Sequence, residues 1–457
     1  MQEVDRKEAA PQGTTERAGM PQEMQHFDST ALNVILDISV LGLGVTNSLF
    51  RTGIYRVVEN LALELTRLDG IDLKFSAIKL PGLAKRYRLT QSMMAPVPLA
   101  IPRSRLILSS VLGSLISAEQ ERSPSPRRLT DGCWMAYVLA DALIGKLLPP
   151  IDGSSLKTPS IFHSTMPFYQ IPKQVRRTRG VSVFVTAYDL TPILYPEYVG
   201  NRLRVRLEKA LHSLCSSDWV LCISEATRND LLNYCGNLDP ERVLVTHLAA
   251  SSRFRNVADD LELARVRSRY KIPDGPYFFS LCNLAPHKNL GHIVKSFALM
   301  AQQENELNAS LVLAGAKGWQ YENIFDAIRE ARGLEERIIV TGYVEDSDLP
   351  ALYSGATAFV YMSRYEGFGL PCLEAMCCGI PVISSNTSSM PEVIGDAGIM
   401  ISPDDSDALA QAMLGILYNG TWRQALREKA FRRSLQFSWS KCAQETMHAY
   451  QAAIQST

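Results

Sequence analysis

The chain has 457 residues, which is too many for one ordinary hydrophobic core, so two domains are expected. Hydrophobic residues make up 46% and charged residues 21%, a composition typical of soluble globular proteins. Lys plus Arg and Asp plus Glu both number 47, so the net charge is zero, and nothing in the overall charge favours a nucleic-acid partner.

The N-terminal segment 1–28 is polar, with Pro, Gly, Glu and Gln and no apolar core, so it predicts a disordered tail rather than a signal peptide. No apolar run approaches the length of a membrane-spanning helix. Nine cysteines are scattered without a CxxC pair, and Cys372, Cys377 and Cys378 fall in an apolar helical segment. Packed free thiols in a reducing cytoplasm are therefore predicted in preference to metal ligands or disulfides.

From Asn33 onwards, strand and helix patterns alternate. A helical pattern over 52–70 stops at Gly70, and a second helix over 225–235 has Ser224 as its cap. The strands predicted in this half are 33–41, which runs into the glycines of GLGV, then 71–80, 160–166, 181–189, 219–224 and 242–249. Such alternation predicts a parallel sheet with helical crossovers.

The segment 81–150 has a weaker pattern. Its part IPRSRLILSSVLGSLI (101–116) is basic at the start and apolar afterwards. Two interpretations fit: a helix on a membrane surface, and a helix packed inside the first domain. Because no broad basic face is evident, the packed helix is favoured.

A second strand–helix series follows the segment 264–276, which is interpreted as a connection between domains. Its predicted strands are 277–284, 308–316, 337–344, 357–363, 380–385 and 397–403, and its helices are 289–303, 322–332, 347–354, 371–378 and 405–418. The predicted fold class is therefore α/β, with two Rossmann-like doubly wound domains. Ligands of such sheets bind at the carboxyl ends of the strands, so the facing cleft is the expected site.

The loop and helix in RYEGFGLPCLEAMCCG (364–379) form the strongest local signal. Gly367 and Gly369 would let the backbone approach a ligand. Pro371 suits the first helical position and Gly379 the helix exit. The free N–H groups of the helix start would suit a phosphate.

Two glutamates flank this loop. Glu374 is placed in the first turn of the helix, where it would repel a diphosphate and should face a ribose instead. Glu366, in the loop, can accept hydrogen bonds from sugar hydroxyls. Either acid alone is better interpreted as a solvated surface group, but the pair fits a nucleotide sugar.

The segment EGFGLPCLE (366–374) resembles the E-x7-E signature of retaining glycosyltransferases of family 4. The similarity continues through NLAPHKN (283–289), TGYVEDSDLPALYSGATAFVYMS (341–363) and GIPVISSNTSSMPEVIGDAGIMISPDD (379–405). In the first half the resemblance is weaker: LGLGV is similar to the glycine loop of the family and RTGIYRVVENLALEL to its first helix. The segments VFVTAYDLTPILYPEY (183–198) and CISEATRNDLL (222–232) also resemble parts of the acceptor-side domain.

The resemblance implies a GT-B fold with an acceptor-side domain over 29–262 and a donor domain over 263–436. It also implies a C-terminal helix over 437–457 that packs back on the first domain. The implied catalytic residues are Glu366, Lys288 and Asp189. The implied donor-binding residues are Glu374, Lys288, Gly367, Phe368, Gly369, Leu370, Asn283, Val344, Gly44 and Gly53.

This chain departs from the family pattern at three positions. Tyr188 stands where the family usually has a His, which puts a sugar-positioning role there in question. Asn283 and His287 stand where many members have arginines, so Lys288 is the remaining cation for the leaving diphosphate. A metal or other cofactor is not predicted, since no Asp-x-Asp motif has a convincing context. The acidic clusters at 259–260 and 404–407 are predicted to begin helices instead.

The function that the resemblance implies is transfer of a hexose with retention of anomeric configuration, in the biosynthesis of a polysaccharide. The expected partners are a nucleotide-diphosphate sugar, with GDP-mannose favoured, and a glycan or lipid-linked acceptor. The expected location is the cytoplasm, with peripheral contact to the inner face of the membrane left open. An epimerase or phosphorylase on the same scaffold, and a non-catalytic nucleotide-sugar-binding module, stay open as alternatives.

Overall fold

The computed structural model describes residues 31–46, 53–122, 128–166, 168–304, 308–316 and 322–456. Within these ranges, the side chains of residues 46, 115–122, 128–135, 322 and 323 are not described. The tail predicted over 1–28 lies outside the described residues.

The first domain is built on a six-stranded parallel sheet with the order β2-β1-β3-β4-β5-β6. Its strands are β1 Leu32–Asp37, β2 Ile71–Ser76, β3 Ser160–Ser164, β4 Val181–Ala187, β5 Trp219–Cys222 and β6 Val243–Val245. Its helices are α1 Ser39–Thr46, α2 Gly53–Leu65, α3 Pro81–Thr90, α4 Arg103–Arg122, α5 Arg128–Leu147, α6 Lys173–Arg177, α7 Thr191–Leu194, α8 Asn201–Leu211 and α9 Glu225–Tyr234.

Both faces of this sheet are buried. Along β1, Val34 and Leu36 join the core on one face, while Ile35 joins the core on the other. This alternation follows from the two-residue period of a strand, and burial on both faces is typical of parallel sheets.

The second domain is built on another six-stranded parallel sheet, with the order β12-β11-β10-β7-β8-β9. Its strands are β7 Tyr277–Leu281, β8 Ser310–Ala314, β9 Ile338–Gly342, β10 Ala358–Tyr361, β11 Val382–Ser385 and β12 Ile399–Ile401. The helices from here to the C-terminus are α10 Asp260–Arg269, α11 Leu290–Gln303, α12 Glu322–Glu330, α13 Leu349–Ser354, α14 Leu370–Cys377, α15 Met390–Ile394, α16 Ser406–Tyr418, α17 Gly420–Ser434 and α18 Trp439–Gln455. The prediction of two doubly wound α/β domains is confirmed.

The last helix, α18, contributes to the first-domain core through residues that include Trp439, Met447 and Tyr450. The Tyr450 hydroxyl lies 2.6 Å from Nδ1 of the buried His163 on β3. Burial lowers the pKa of His163 to about 3, so this imidazole is neutral. α18 therefore follows the second domain in sequence but packs with the first.

Three helix starts predicted from the sequence are marked by a capping side chain in the structure. Ser224 accepts a hydrogen bond from the Thr227 amide at the start of α9. Asp259 and Asp405 cap α10 and α16 through the amides of Leu261 and Ala408. Both acidic clusters begin helices, as predicted.

Two predictions about this framework were wrong, and one helix was missed. The strand that begins the first domain ends at Asp37, and the glycines of LGLGV lie in α1 instead of a loop. The segment 264–276, interpreted as a connection, is helical up to Arg269. α8 was not predicted, because its sequence NRLRVRLEKAL is rich in charged residues and buries only Leu207, Ala210 and Leu211.

Among the described residues, none of the helices is both long enough and apolar enough to cross a membrane.

Candidate active site

The centre of the candidate site is an ion pair between Lys288 and Glu366. Lys288 follows β7 and Glu366 follows β10, and these two strands are neighbours in the second sheet. The carboxyl ends of adjacent parallel strands lie at the same edge, so the two loops meet there. The Lys288 Nζ lies 2.5 Å from Glu366 Oε1.

The two loops are also joined through their backbones. The amide of Arg364 donates to the carbonyl oxygen of His287 over 2.8 Å, and the Ser363 hydroxyl donates to the same oxygen over 3.2 Å. The Glu366 amide donates to Ser388 Oγ over 2.9 Å. The loop that carries Glu366 is therefore fixed by hydrogen bonds to His287 on one side and to Ser388 on the other.

Electrostatics keep both partners of the pair charged. Burial by itself raises the pKa of Glu366, but the charge of Lys288 and hydrogen bonds from Lys288, Ser363 and Tyr361 outweigh it and hold this pKa below its ordinary value. Burial likewise opposes the charge of Lys288, and Glu366 holds the Lys288 pKa above its ordinary value. The Tyr361 hydroxyl donates to the same Glu366 oxygen over 2.7 Å.

The first domain brings Asp189 to this pair. Asp189 follows β4 and accepts a hydrogen bond from the Thr191 amide over 2.9 Å. Burial raises the Asp189 pKa, the Thr191 hydrogen bonds lower it, and the charges of Glu366 and Lys288 act on it in opposite directions. Thus the three residues named as catalytic from the sequence are brought together at the cleft.

Gly367 lies where the two domains touch. A Cβ atom at Gly367 would lie 2.0 Å from the Tyr188 carbonyl oxygen and 3.0 Å from Asp189 Cβ. The Gly367 carbonyl oxygen accepts a hydrogen bond from Ser224 Oγ over 2.7 Å. This glycine was expected to let the backbone approach a ligand, but in the structure it lets the backbone approach the opposite domain.

Tyr188 does not point into the cleft. Its ring is 5% exposed and belongs to the first-domain core, and its hydroxyl donates to the Thr165 carbonyl oxygen over 3.0 Å. Burial raises its pKa far above the ordinary value. The position where the family usually has a His therefore carries a packing residue here.

Glu374 occupies a second, separate location. Its Oε2 accepts a hydrogen bond from the Tyr353 hydroxyl over 3.1 Å, and its Oε1 lies 3.5 Å from Arg56 Nη1 of the first domain. Arg56 also pairs with Asp346 at 2.6 Å, and Arg253 pairs with the same carboxylate at 3.1 Å. Burial raises the Glu374 pKa to about 7, even though the charge of Arg56 lowers it.

The prediction that Glu374 lies in the first turn was wrong, because α14 begins at Leu370 and its first turn has no acidic residue. Gly369 precedes α14 with φ of 100°, a conformation that favours glycine. The helix start thus opens directly onto the loop that carries Glu366.

Several residues named as donor-binding expose less side-chain surface to a ligand than expected. Phe368 is only 3% exposed, because its ring packs in the first-domain core against His247 and Phe437. Val344 is 4% exposed and belongs to the second-domain core. Leu370 is half-buried against the first-domain core, whereas Asn283 is exposed after β7.

The two glycines of the first domain named as donor-binding lie in or at helices. A Cβ atom at Gly44 would lie 2.3 Å from the Tyr55 ring, so this glycine lets α1 and α2 pack closely. Gly53 begins α2 and has open space around its Cβ position. The intervening segment 47–52 is outside the described residues.

Sequence reasoning missed the residues that join the domains. Arg56 stands in the quoted segment RTGIYRVVENLALEL, but one arginine on a helix carries no sign of a distant partner. Glu392 was also missed: it accepts hydrogen bonds from the amide of Glu225, at the start of α9, and lies 2.5 Å from His247 Nε2. Both contacts depend on how two separately folded domains meet.

Among the described residues, no group of three or more His, Cys, Asp and Glu side chains is arranged to hold a metal ion. The cations near the candidate site are instead side chains, with Lys288 beside Glu366 and Arg56 beside Glu374.

In the first turn of α14 the Cys372 and Leu373 amides donate to the Gly369 carbonyl oxygen and Pro371 has no N–H, so the set of free amides expected from the sequence is reduced. The two cations and the positive end of the α14 dipole could together stabilise an anion such as a diphosphate.

Comparison with known proteins identifies the family of this chain. A family model described as "Glycosyl transferases group 1" matches residues 265–433. The O-antigen chain mannosyltransferase B of Escherichia coli is 36% identical over 295 residues, covering 64% of this chain and 74% of that protein. The serotype-specific mannosyltransferase WbdA of Escherichia coli is 29% identical over 274 residues, which are 59% of this chain and 33% of WbdA.

The fold has solved counterparts. Sucrose-phosphate synthase of Thermosynechococcus elongatus superimposes with a TM-score of 0.61 at 18% identity, over 93% of this chain and all of that one. Two parallel Rossmann-like sheets, with charged residues from both domains in one cleft, define a glycosyltransferase of the GT-B fold. The chain belongs to the family of glycosyl transferases group 1.

Proposed function

We propose that this protein transfers a hexose, with mannose favoured, from a nucleotide-diphosphate sugar to a glycan or lipid-linked acceptor in polysaccharide biosynthesis. We further propose that the anomeric configuration is retained. The observation that carries the proposal is the buried Lys288–Glu366 pair at the cleft, with Asp189 of the other domain near enough to influence both charges. The names of the related mannosyltransferases support mannose, and GDP-mannose is the donor that we propose.

In this proposal, Lys288 and the positive N-terminal end of α14 bind the diphosphate. The sugar C1–O bond breaks while the diphosphate oxygen gains negative charge, and the Lys288 cation stabilises that charge. The acceptor hydroxyl oxygen attacks C1 from the face that the diphosphate leaves. Its proton passes to the departing diphosphate oxygen, so no protein base is required.

Glu366 and Asp189 would act on the transferred sugar. Glu366 is ionised and can accept hydrogen bonds from sugar hydroxyls, provided that its contact with Lys288 loosens when the diphosphate arrives. Asp189 faces it from the first domain, where burial raises the pKa of its carboxyl, and its oxygens can also bond to sugar hydroxyls. Together they would orient the hexose between the two domains.

Glu374 would bind the ribose of the donor nucleotide, with Tyr353 orienting one carboxylate oxygen and Arg56 facing the other. The remaining donor contacts proposed are the backbone of Gly367, Phe368, Gly369 and Leu370. Asn283 is exposed after β7, and a contact of its side-chain amide with the donor is part of the proposal. Gly44, Gly53 and Val344 would act only by shaping the surrounding backbone.

A cytoplasmic location is part of the proposal, since the described cysteines are free and most of them are buried. Contact with the inner face of the membrane is a further part, because a lipid-linked acceptor would lie there. No cofactor enters the proposed reaction.

The test is release of nucleoside diphosphate from a panel of GDP-mannose, UDP-glucose and UDP-N-acetylglucosamine, with and without mannose oligosaccharides. We expect acceptor-dependent release from GDP-mannose and an α-linked product by NMR. A β-linked product would refute retention. Release from no donor, together with donor binding that survives, would favour the non-catalytic alternative, while conversion of the donor without an acceptor would favour an epimerase. Phosphate-dependent cleavage of the oligosaccharides would favour a phosphorylase.

A further inference from the structure

Helix α4 packs with its polar side inward. Arg105 and Ser109 are 1% and 0% exposed, whereas Ile107, Leu108 and Val111 are 63%, 48% and 55% exposed. A surface helix of a soluble protein normally buries its apolar stripe and exposes its polar residues. At these five positions α4 is therefore inverted, although Leu106 and Leu112 are partly buried against first-domain cores. The prediction of a helix packed in the first domain holds, but an apolar side of this helix stays exposed.

Helix α5 has the same inversion. Tyr137 and Asp141 are each 2% exposed and four residues apart, so they share the inward face. Leu139 and Leu143 are each 59% exposed, and Leu147 is 82% exposed, at successive four-residue spacings. Because α4 and α5 pack against each other, their outward residues form one surface.

The inward polar residues anchor these helices to the first domain. They bond to the backbone between β2 and α3 and at the start of α3, which is why they cannot simply be exchanged with the outward ones. The contacts are Arg105 Nη2 to the Ile78 carbonyl (2.6 Å), the Leu80 amide to Asp141 Oδ2 (3.1 Å) and the Gly82 amide to Ser109 Oγ (2.9 Å). The inversion is thus a packed arrangement with its own hydrogen bonds.

The outward surface is unusually apolar for this protein. Of the 16 large hydrophobic side chains that are exposed among the described residues, nine lie between 89 and 147. This set is called the apolar face: Leu89, Met93, Ile107, Leu108, Val111, Val138, Leu139, Leu143 and Leu147. A patch of this kind on a soluble protein normally marks an interaction site.

Among the described side chains around the apolar face, basic residues outnumber acidic ones. Residues 73–118 contain seven Lys and Arg and no Asp or Glu, although the whole chain has 47 of each sign. Arg86 and Arg103 in this stretch and Lys146 on α5 are exposed, while Asp141 is buried. An apolar surface with basic residues around it is attracted to anionic lipid headgroups.

We propose that the apolar face docks on the surface of an anionic phospholipid membrane. A second copy of this chain would suit the face less well, because pairing two such surfaces would bring their basic residues together. The face lies on helices bonded to the chain just after β2, at the carboxyl edge of the first sheet, where Asp189 also lies. Docking there would bring membrane-embedded acceptors toward the cleft, a role that rests on the proposed function.

The experiment is co-sedimentation of the full chain with vesicles of phosphatidylglycerol and phosphatidylcholine, or of phosphatidylcholine alone. We expect binding to the anionic vesicles to be at least tenfold stronger and to weaken with salt. The double variant Leu139→Glu/Leu143→Glu should lose at least tenfold of this binding. Both positions are exposed, so its circular dichroism and Tm should stay near those of the wild type.

The matched control is Leu261→Glu/Leu435→Glu, which adds the same charge at exposed leucines elsewhere (82% and 67% exposed) and should bind vesicles like the wild type. Should Leu139→Glu/Leu143→Glu fold poorly, Arg103→Gln/Lys146→Gln should still reduce the preference for anionic vesicles. Equal binding by the variants and the wild type, or no binding by the wild type, would overturn the proposal. A wild-type dimer that the Leu139→Glu/Leu143→Glu change dissociates would instead make the face an interface between copies. GDP binding, measured on the same samples, separates this outcome from failure of the proposed function.

Discussion

Arg56 reaches from the first domain to Glu374 of the second, with 3.5 Å between Nη1 and Oε1. Glu374 is 4% exposed, and its pKa is raised to about 7 by burial, so it is poised between its two protonation states near neutral pH. Arg56 belongs to one domain and Glu374 to the other. The charge of the Glu374 carboxylate therefore depends on the contact that Arg56 makes across the cleft.

The first prediction follows from this titration. If ionised Glu374 accepts hydrogen bonds from the ribose, GDP affinity should rise several-fold between pH 6 and pH 8. Replacing Arg56 by Met removes the positive charge that favours ionisation, so the rise should move to higher pH. Isothermal titration calorimetry across this range measures both effects. An unchanged pH profile in Arg56→Met would show that Arg56 does not act through Glu374.

The same group affects stability with a definite sign. Its folded pKa lies above its ordinary value of 4.5, so the native state holds this proton more tightly and loses stability as the pH rises from about 4.5 to 7. Glu374→Gln should therefore gain stability relative to the wild type as the pH rises, by up to roughly 1.4 kcal/mol for each unit of pKa shift. Urea unfolding at pH 5 and pH 8 measures this difference, and a difference that does not grow with pH contradicts the prediction.

A further prediction separates Glu366 from Glu374. Glu366→Gln should lower turnover by at least a hundredfold while GDP affinity stays equal or increases, because Lys288 is released for the diphosphate. Glu374→Gln should weaken GDP binding instead, by roughly 1.5–3 kcal/mol if one charge-assisted hydrogen bond is lost. Turnover and the GDP dissociation constant by calorimetry, measured for both variants, test this assignment. Equal losses of GDP affinity would refute the assignment of one acid to the sugar and one to the nucleotide.

The buried ion pair between Lys288 and Glu366 predicts the outcome of a double-mutant cycle in the free energy of unfolding. Lys288→Met leaves the Glu366 carboxylate without its counter-charge and should destabilise the fold by about 3–5 kcal/mol. The double variant Lys288→Met/Glu366→Gln removes both charges and should recover most of this loss, while transfer stays absent. Chemical denaturation of the two single variants and the double variant gives the coupling energy. Additive losses would mean that the pair does not act as a unit.

Gly367 tests domain closure. A Cβ atom there would lie 2.0 Å from the Tyr188 carbonyl oxygen, so Gly367→Ala should force the domains apart and lower turnover by at least a hundredfold. Gly236→Ala, at an exposed glycine with nothing within 4 Å of its Cβ position, is the matched control. Small-angle scattering should show a larger radius of gyration for Gly367→Ala alone. Wild-type turnover in Gly367→Ala would mean that this close approach is not needed for transfer.

The sequence alone determined the architecture and named three residues that the structure brings together at the candidate site. Strand and helix periods are local properties, so two parallel α/β domains could be derived from apolar runs, and caps such as Ser224 and Asp405 marked helix starts. Lys288 and Glu366 could be named because their segments resemble one family. Their meeting follows from the adjacency of β7 and β10 in the sheet.

Only the tertiary structure decided which groups face each other across the cleft. Arg56, Tyr353 and Glu392 are unremarkable in the sequence, because their partners lie between 21 and 318 residues away and are chosen by the docking of domains or helices. The same reason explains why Phe368 and Tyr188 turned out to be packing residues and why Gly367 serves a contact between domains. The outward apolar side of α4 was also hidden, since a helical period shows that two faces exist, and only the packing partner decides which of them is buried.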